Sequence, residues 1–125
     1  MDTLVVVSKV KKYIKEKSGM STSATFTDAI TSKVASACDD AIGSAEANKR
    51  KTVMDRDFNF YKEDANVDTV LVVASKIKKY IKDKSGMSTS GKAFDQLTVL
   101  VQMWADEAID KAQSDKRKTV MDRDL

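Results

Sequence analysis

Nine residues, Lys-Arg-Lys-Thr-Val-Met-Asp-Arg-Asp, occupy positions 49–57 and recur unchanged at 116–124. Each block begins with three consecutive cationic side chains. A second lysine-rich stretch lies upstream of each block, at 9–17 and at 76–84, and acidic residues lie between the stretches. The formal net charge of +3 therefore understates the local positive potential, which would attract a polyanion.

Other kinds of chemistry lack the residues that they need. The chain has no histidine and a single cysteine, Cys38, and it has no glycine-rich phosphate loop. Because nucleophilic, metal-binding and nucleotide-binding motifs are missing, we expect neither an enzyme nor a cofactor. We predict that Cys38 is a small buried residue. The acidic pairs Asp39-Asp40 and Asp106-Glu107 are predicted to form a solvated helix face.

The two blocks belong to a repeat that spans nearly the whole chain. A shift of 67 positions aligns residues 4–58 with residues 71–125 without a gap, and 33 of the 55 aligned positions are identical. A unit of about 55 residues buries little apolar surface on its own, so we expect the copies to share one core. The predicted organisation is a single domain over 1–125, with the first repeat at 1–61, a linker at 62–70 and the second repeat at 71–125.

The composition favours a mostly helical protein. The chain contains no proline and four glycines, and 33% of its residues are charged. The apolar run at 4–7 is far too short to cross a membrane, and residues 1–3 lack the cationic start of a signal peptide. These observations predict an intracellular, cytoplasmic location.

Hydrophobic periodicity predicts a short helix near the start of each repeat. Val7, Val10 and Ile14 share one helical face, and Gly19 can take the left-handed conformation that ends a helix. The valine-rich start is also compatible with a strand, so the first boundary has two interpretations.

A long helix and a final short helix are predicted to follow. The hydroxyl residues at 21–23 are candidate caps for the long helix, and an apolar stripe continues along it for about 20 residues from Phe26. Asp55 is a candidate cap for the final helix, which would extend to about Tyr61.

The predicted order is a short helix, a long helix and a short helix, with a basic Arg-Lys-Thr-Val sequence in the second loop. This order resembles the histone fold. In archaeal and bacterial histones this loop reads much like residues 50–53, and an acidic short helix follows it. The lysine-rich first helix and the Ser/Thr-rich first loop are also similar to those of small bacterial histones. The resemblance covers almost all of both repeats. It implies an all-α fold in which two tandem histone folds clasp as an intrachain pseudodimer, as in histone doublets.

The resemblance also implies where DNA would bind. In a clasped pair the first loop of each copy lies beside the second loop of the other, and the first helices lie between the two ends. Hydroxyls, helix-start amides and lysines are groups that bind phosphate oxygens. The candidates in the first repeat are Lys9, Lys11, Lys12, Lys15, Ser21, Thr22, Ser23, Lys49, Lys51 and Thr52. Those in the second repeat are Lys76, Lys78, Lys79, Lys82, Ser88, Thr89, Ser90, Lys116, Lys118 and Thr119.

An arginine in each block is expected to be structural. In histones this arginine pairs with an aspartate seven residues on, and Arg50 with Asp57 and Arg117 with Asp124 reproduce that spacing. We interpret these residues as clamps that hold the second loop to the last helix, with phosphate contact secondary.

The two long helices differ in sequence at many aligned positions, of which four bear on packing. The first has Ser32, Lys33, Ser36 and Ala37, where the second has Val99, Leu100, Met103 and Trp104. We expect Leu100 and Trp104 to fill an asymmetric shared core, and Val99 and Met103 to form a second stripe that contacts another copy. Tyr13 and Tyr80 are interpreted as packing residues rather than base-stacking platforms.

Together these features predict a nucleoid-associated protein that binds double-stranded DNA without sequence preference and organises a prokaryotic chromosome. The alternative is a histone-fold module that binds protein and has little affinity for DNA. The chain departs from archaeal histones, which commonly carry arginines on the first helix and first loop, because Lys9 and residues 19–21 occupy the comparable stretches. Bending, wrapping and coating of the DNA therefore stay open.

Overall fold

The computed structural model describes residues 3–58 and 69–125. Each repeat contains a short helix, a two-residue strand, a long helix, a second two-residue strand and a 3₁₀ turn. In the first repeat these are α1 (Val7–Ser18), β1 (Ser21–Thr22), α2 (Ala24–Ala47), β2 (Thr52–Val53) and the turn Asp55–Asp57. In the second repeat they are α3 (Ala74–Ser85), β3 (Ser88–Thr89), α4 (Gly91–Ser114), β4 (Thr119–Val120) and the turn Asp122–Asp124.

The segments before α1 and α3 pair with each other. The Val6 amide donates to the Leu71 carbonyl at 2.7 Å, and the Val73 amide donates to the Leu4 carbonyl at 2.8 Å. Residues 4–6 and 71–73 thus form an antiparallel central ribbon, and the equivalent residues Val5 and Val72 face each other in it. The predicted helix from Val7 is confirmed, whereas the residues before it take the extended alternative.

The long helices begin where predicted and run for 24 residues each. Among the hydroxyl residues at 21–23, Ser23 is the cap, and its side chain accepts a hydrogen bond from the Phe26 amide at 3.2 Å. The apolar stripe from Phe26 is buried, and the helix passes through Gly43 without interruption. Neither these helices nor any other in the described ranges has the length and apolar character of a membrane span.

The final helix of the first repeat is shorter than predicted, whereas that of the second repeat has the single turn expected so close to Leu125. Each consists of one 3₁₀ turn, Asp55–Asp57 or Asp122–Asp124. Asp55 as the cap of the first turn is wrong: Met54 holds the cap position, and its amide donates to the Asp57 carboxylate at 2.7 Å. The predicted continuation to Tyr61 and residues 62–68 of the predicted linker lie outside the described residues.

Each two-residue strand pairs with a strand of the other repeat. Strand β1 runs parallel to β4, with Ser21 opposite Thr119, and β2 runs parallel to β3, with Thr52 opposite Ser88. Because both pairings cross between repeats, neither repeat can form its own loop contacts in isolation.

The two repeats build one apolar core. Val10 and Ile14 of α1 and the equivalent Ile77 and Ile81 of α3 are fully buried in the same cluster as the faces of α2 and α4. Cys38 is buried as predicted, and burial raises the pKa of its thiol to about 12. A thiol with this pKa stays protonated at neutral pH and packs as a small apolar group.

The differences between the long helices produce an asymmetric contact. Leu100 is buried and Trp104 packs against the core, as predicted. The ammonium of Lys33 lies 5.3 Å from the centre of the Trp104 ring. The outward position predicted for Val99 is wrong, because this side chain is only 9% exposed. Residues 96–101 of α4 are all buried; Met103 is half-buried, and self-association through it stays a prediction.

Two buried threonines hold the central ribbon to the long helices. The Leu4 amide donates to Oγ1 of Thr31 at 3.2 Å, and the Leu71 amide donates to Oγ1 of Thr98 at 3.1 Å. We expect Thr31→Val or Thr98→Val to leave a buried amide unpaired and to lower the free energy of unfolding by about 1–3 kcal/mol. Urea denaturation followed by circular dichroism measures this change. Thr98→Ser is the control, since it keeps the acceptor; an equal loss in both variants would contradict a hydrogen-bonding role.

Candidate nucleic-acid interface

The strand pairs bring the predicted loop residues together at two ends of the molecule. Loop pair A comprises residues 19–25 and 115–124, and loop pair B comprises the equivalent residues 86–92 and 48–57. In loop pair A the Ser21 amide donates to the Lys118 carbonyl at 3.1 Å. In loop pair B the Ser88 amide donates to the Lys51 carbonyl at the same distance, 3.1 Å. Each pair therefore combines hydroxyls and a helix start from one repeat with the basic block of the other.

The first lysine of each basic block has an unusual backbone conformation. Lys49 and Lys116 adopt positive φ angles of 57° and 58° at the carboxyl ends of α2 and α4. The Arg50 amide then donates back to the Ala45 carbonyl at 2.9 Å, and the Arg117 amide donates to the Ala112 carbonyl, also at 2.9 Å. This left-handed closure normally uses glycine, and here it leaves both lysine side chains exposed.

The arginine of each block forms a bidentate ion pair with the aspartate seven residues on. Arg50 donates through Nη1 to Oδ2 of Asp57 at 2.7 Å and through Nη2 to Oδ1. Arg117 makes the same pair with Asp124. Each arginine also donates to a carbonyl of its own loop, that of Thr52 at 3.3 Å or that of Thr119 at 3.2 Å. The pair therefore ties the second loop to the 3₁₀ turn.

The hydrogen bonds around these aspartates favour the ionised carboxyl. Burial alone would raise the pKa of Asp57, but hydrogen bonds from Arg50, the Met54 amide and Ser44 outweigh it, so the pKa lies below its ordinary value. The pKa of Asp124 is lowered mainly by Arg117, against the opposing effect of burial.

Three lysines of each short helix line a groove beside the adjacent loop. Groove A, about 420 Å³ in volume, is lined by Lys11, Lys12, Lys15 and residues 20–22. Groove B has the same volume and is lined by Lys78, Lys79, Lys82 and residues 87–89. The hydroxyls of Thr22 and Thr89 have no hydrogen-bond partner among the described residues. These two hydroxyls are buried, so each groove offers its lysines together with the exposed residue Ser21 or Ser88, which suits an anionic oxygen.

Lys9 and Lys76 lie apart from the grooves, near the central ribbon. Both side chains are exposed, and the first turns of α1 and α3 contain no acidic residue. Part of the neighbouring charge is already paired, because Lys12 lies 3.7 Å from Glu16 and Lys79 lies 2.9 Å from Asp83. Exposed pairs of this kind are weak and exchange readily for another anion.

The structure contains a polar contact between the repeats that the sequence did not predict. The Tyr13 hydroxyl donates to Asp106 at 2.8 Å, and the Tyr80 hydroxyl donates to Asp39 at 2.8 Å. Lys17 joins the first contact, with Nζ 3.4 Å from Asp106, and Lys84 joins the second at 3.4 Å from Asp39. Tyr13 and Tyr80 pack against the core as predicted. Asp39 and Asp106 stay partly exposed, in keeping with the predicted solvated face, and each also binds a short helix of the opposite repeat.

The signal for this contact lay in the repeat itself. Only a few polar positions are identical between α2 and α4, and two of them are Thr31 with Thr98 and Asp39 with Asp106. The threonines bind the central ribbon within their own repeat, and the aspartates bind a tyrosine of the other repeat.

Neither the models of protein families nor the curated protein sequences contain a match to this chain. Solved structures do resemble it. The histone from Methanopyrus kandleri superposes with a TM-score of 0.68 at 18% identity, over 96% of this chain and 89% of that one. A protein from Thermus thermophilus superposes with a TM-score of 0.64 at 13% identity, over 96% of this chain and 90% of that one.

At these identities the likeness shows the fold. The chain is an all-α protein with the histone fold, and the fold class predicted from the sequence is confirmed. The superpositions extend over both repeats, because they cover 96% of the chain. No cluster of three or more potential metal ligands occurs in residues 3–58 and 69–125.

The lowered pKa values of Asp57 and Asp124 predict sensitivity to acid. Each carboxylate contributes stability that is complete above its unfolded-state pKa of about 4 and is lost as the pH falls through its lower folded-state pKa. We expect the free energy of unfolding, from urea titrations, to fall steeply below about pH 4. An Asp57→Asn/Asp124→Asn variant should be less stable at pH 7 and should lose less on acidification. A slope as steep as that of the parent would assign acid sensitivity to other carboxyls.

Proposed function

We propose that this chain is a prokaryotic histone doublet that binds double-stranded DNA through its phosphates and organises the chromosome in the nucleoid. The observation that carries the proposal is the row formed by groove A, the central ribbon and groove B. The grooves flank two short helices whose starts meet at the ribbon. A helix of 12 residues is about 18 Å long, so the row spans at most roughly 40 Å, about one turn of duplex.

Binding of this kind has a simple physical basis. The lysines of the grooves and loop pairs replace the counterions of the DNA, and release of those counterions drives association. The grooves are lined by lysines, short hydroxyl residues and one methionine each, and these side chains are not matched to base edges. Affinity is therefore independent of sequence and falls steeply with salt.

The Methanopyrus kandleri structure supports the proposal through its fold and its description as a histone. The repeated basic block supports it independently, because its exposed lysines lie at both ends of the row. The function is one of binding, with duplex DNA as partner and no reaction catalysed.

Affinity measured against salt tests DNA binding directly. With unrelated duplexes, fluorescence anisotropy should give a log–log slope of about −3 to −6, as expected for about four to six neutralised phosphates. Lys51→Glu/Lys118→Glu should remove most of the affinity and leave the melting temperature nearly unchanged.

Lys33→Glu is the control for the single variant Lys51→Glu, because it makes the same change in charge. Lys33 lies two residues, or about 200° around α2, from Thr31, which faces the central ribbon. Lys33→Glu should therefore lower the affinity for DNA much less than Lys51→Glu does. No binding of the parent at low salt would instead favour a histone-fold module that binds protein.

Because Lys49 and Lys116 have positive φ angles, substitutions there can separate the effect of their charge on DNA binding from the effect of backbone strain on stability. Lys49→Gly/Lys116→Gly relieves the strain at φ 57° and 58° and should raise the melting temperature, with a gain of up to about 1 kcal/mol at each site. The same variant should flatten the salt slope by up to about 2. Lys49→Ala/Lys116→Ala removes the same charges but keeps the strain, so it should weaken binding equally without raising the melting temperature. Unchanged affinity in both variants would exclude these lysines from the interface.

A further inference from the structure

The two loop pairs share one backbone design but carry different charges. Loop pair B contains five basic and two acidic residues, a net charge of +3. Loop pair A contains four basic and three acidic residues, a net charge of +1. The difference comes from two positions: loop pair B has Asn48 and Lys92 where loop pair A has Asp115 and Thr25.

The first of these positions, Asp115 in loop pair A and Asn48 in loop pair B, determines whether the arginine of the block has a second carboxylate partner. In loop pair A, Asp115 accepts a hydrogen bond from Nη2 of Arg117 at 2.9 Å, in addition to the pair with Asp124. In loop pair B, Asn48 instead donates from its amide to the Ser44 carbonyl at 3.0 Å. Arg117 is therefore shared between two carboxylates, whereas the described contacts pair Arg50 with the Asp57 carboxylate alone. An incoming phosphate meets an extra negative charge only in loop pair A.

The second position, Thr25 in loop pair A and Lys92 in loop pair B, changes which polar groups lie at the start of the long helix beside the basic block. In loop pair A the Thr25 hydroxyl donates to Asp122 at 3.3 Å, and the Ser23 hydroxyl caps the Phe26 amide. In loop pair B the equivalent of Thr25 is the exposed Lys92, and the Ser90 hydroxyl has no hydrogen-bond partner among the described residues. The start of α4 therefore presents an exposed cation, where the start of α2 presents hydroxyls that are already paired; the Ser90 hydroxyl itself is buried.

Because the net charge and the pairing of the arginine both differ in the same direction, we infer that loop pair B is the primary phosphate anchor and loop pair A the secondary one. The inference rests on the proposed DNA binding and adds a polarity to it. One end of the molecule holds the duplex backbone at salt concentrations that release the other end.

Lysine acetylation in the presence of DNA tests this polarity on the unmodified protein. The rate at each lysine is measured by mass spectrometry, with and without a duplex of about 20 base pairs, over a range of salt. Lys51 and Lys118 are equivalent positions and serve as matched reporters. We expect both to be protected at low salt and only Lys51 to stay protected as salt rises, with a salt midpoint at least about 1.5-fold higher than that of Lys118.

An exchange variant supplies the decisive comparison. Asn48→Asp/Lys92→Thr/Thr25→Lys/Asp115→Asn swaps the two differences and leaves the net charge unchanged. It should keep the overall affinity within about twofold and reverse the order in which Lys51 and Lys118 lose protection. Circular dichroism checks that the variant is folded; if it is not, the pair Thr25→Lys/Asp115→Asn alone should raise the midpoint of Lys118 to that of Lys51.

The outcomes separate the inference from the function on which it rests. Equal salt midpoints for Lys51 and Lys118 in the parent, or an unchanged order in the folded exchange variant, would overturn the polarity and leave DNA binding intact. Absence of protection at both lysines at low salt, together with no shift in anisotropy, would overturn the proposed function itself.

Discussion

The structure depends on the mismatch between a helix of 24 residues and a repeat too small to cover it. A helix of this length is about 36 Å long, and most of one face is apolar, so its burial requires a second repeat. The crossing of the two repeats buries α2 and α4 against each other and against both short helices. It also joins β1 to β4 and β2 to β3. Each loop pair is therefore composed of both repeats, and it forms only when the shared core forms.

The repeated basic block contributes both to stability and to the charged surface through alternating side-chain directions. Lys49 and Lys51 are exposed, Arg50 is turned toward Asp57, and Val53 is fully buried. The left-handed closure at Lys49 begins this alternation, and the parallel pairing of β2 with β3 maintains it. The clamp therefore fixes the backbone from which the neighbouring lysines project. Loss of the ion pair would therefore also change the positions of the lysines, although they take no part in it.

Much of this architecture follows from periodicity and from repetition in the sequence. The short and long helices, the buried cysteine and the core positions of Leu100 and Trp104 were all predictable from residue spacing. Contacts that depend on which polar groups meet across the interface were not, as Asp39, Asp106 and Asp115 illustrate. Helical periodicity predicts on which face of α4 Val99 lies, but it does not predict whether that face is buried. The short final turn likewise reflects a tertiary interaction, because Asp57 binds Arg50 and the Met54 amide at once.

The contact between Lys33 and Trp104 gives the pairing of the repeats a built-in selectivity. By the repeat alignment, Lys33 corresponds to Leu100 and Ala37 corresponds to Trp104. Two first repeats pairing together would have no aromatic ring to receive the lysine, and two second repeats would bring two tryptophans and two leucines into the same space. Only the mixed pair has one cation and one ring at this crossing. The contact thus favours pairing of a first repeat with a second repeat over pairing of two like repeats.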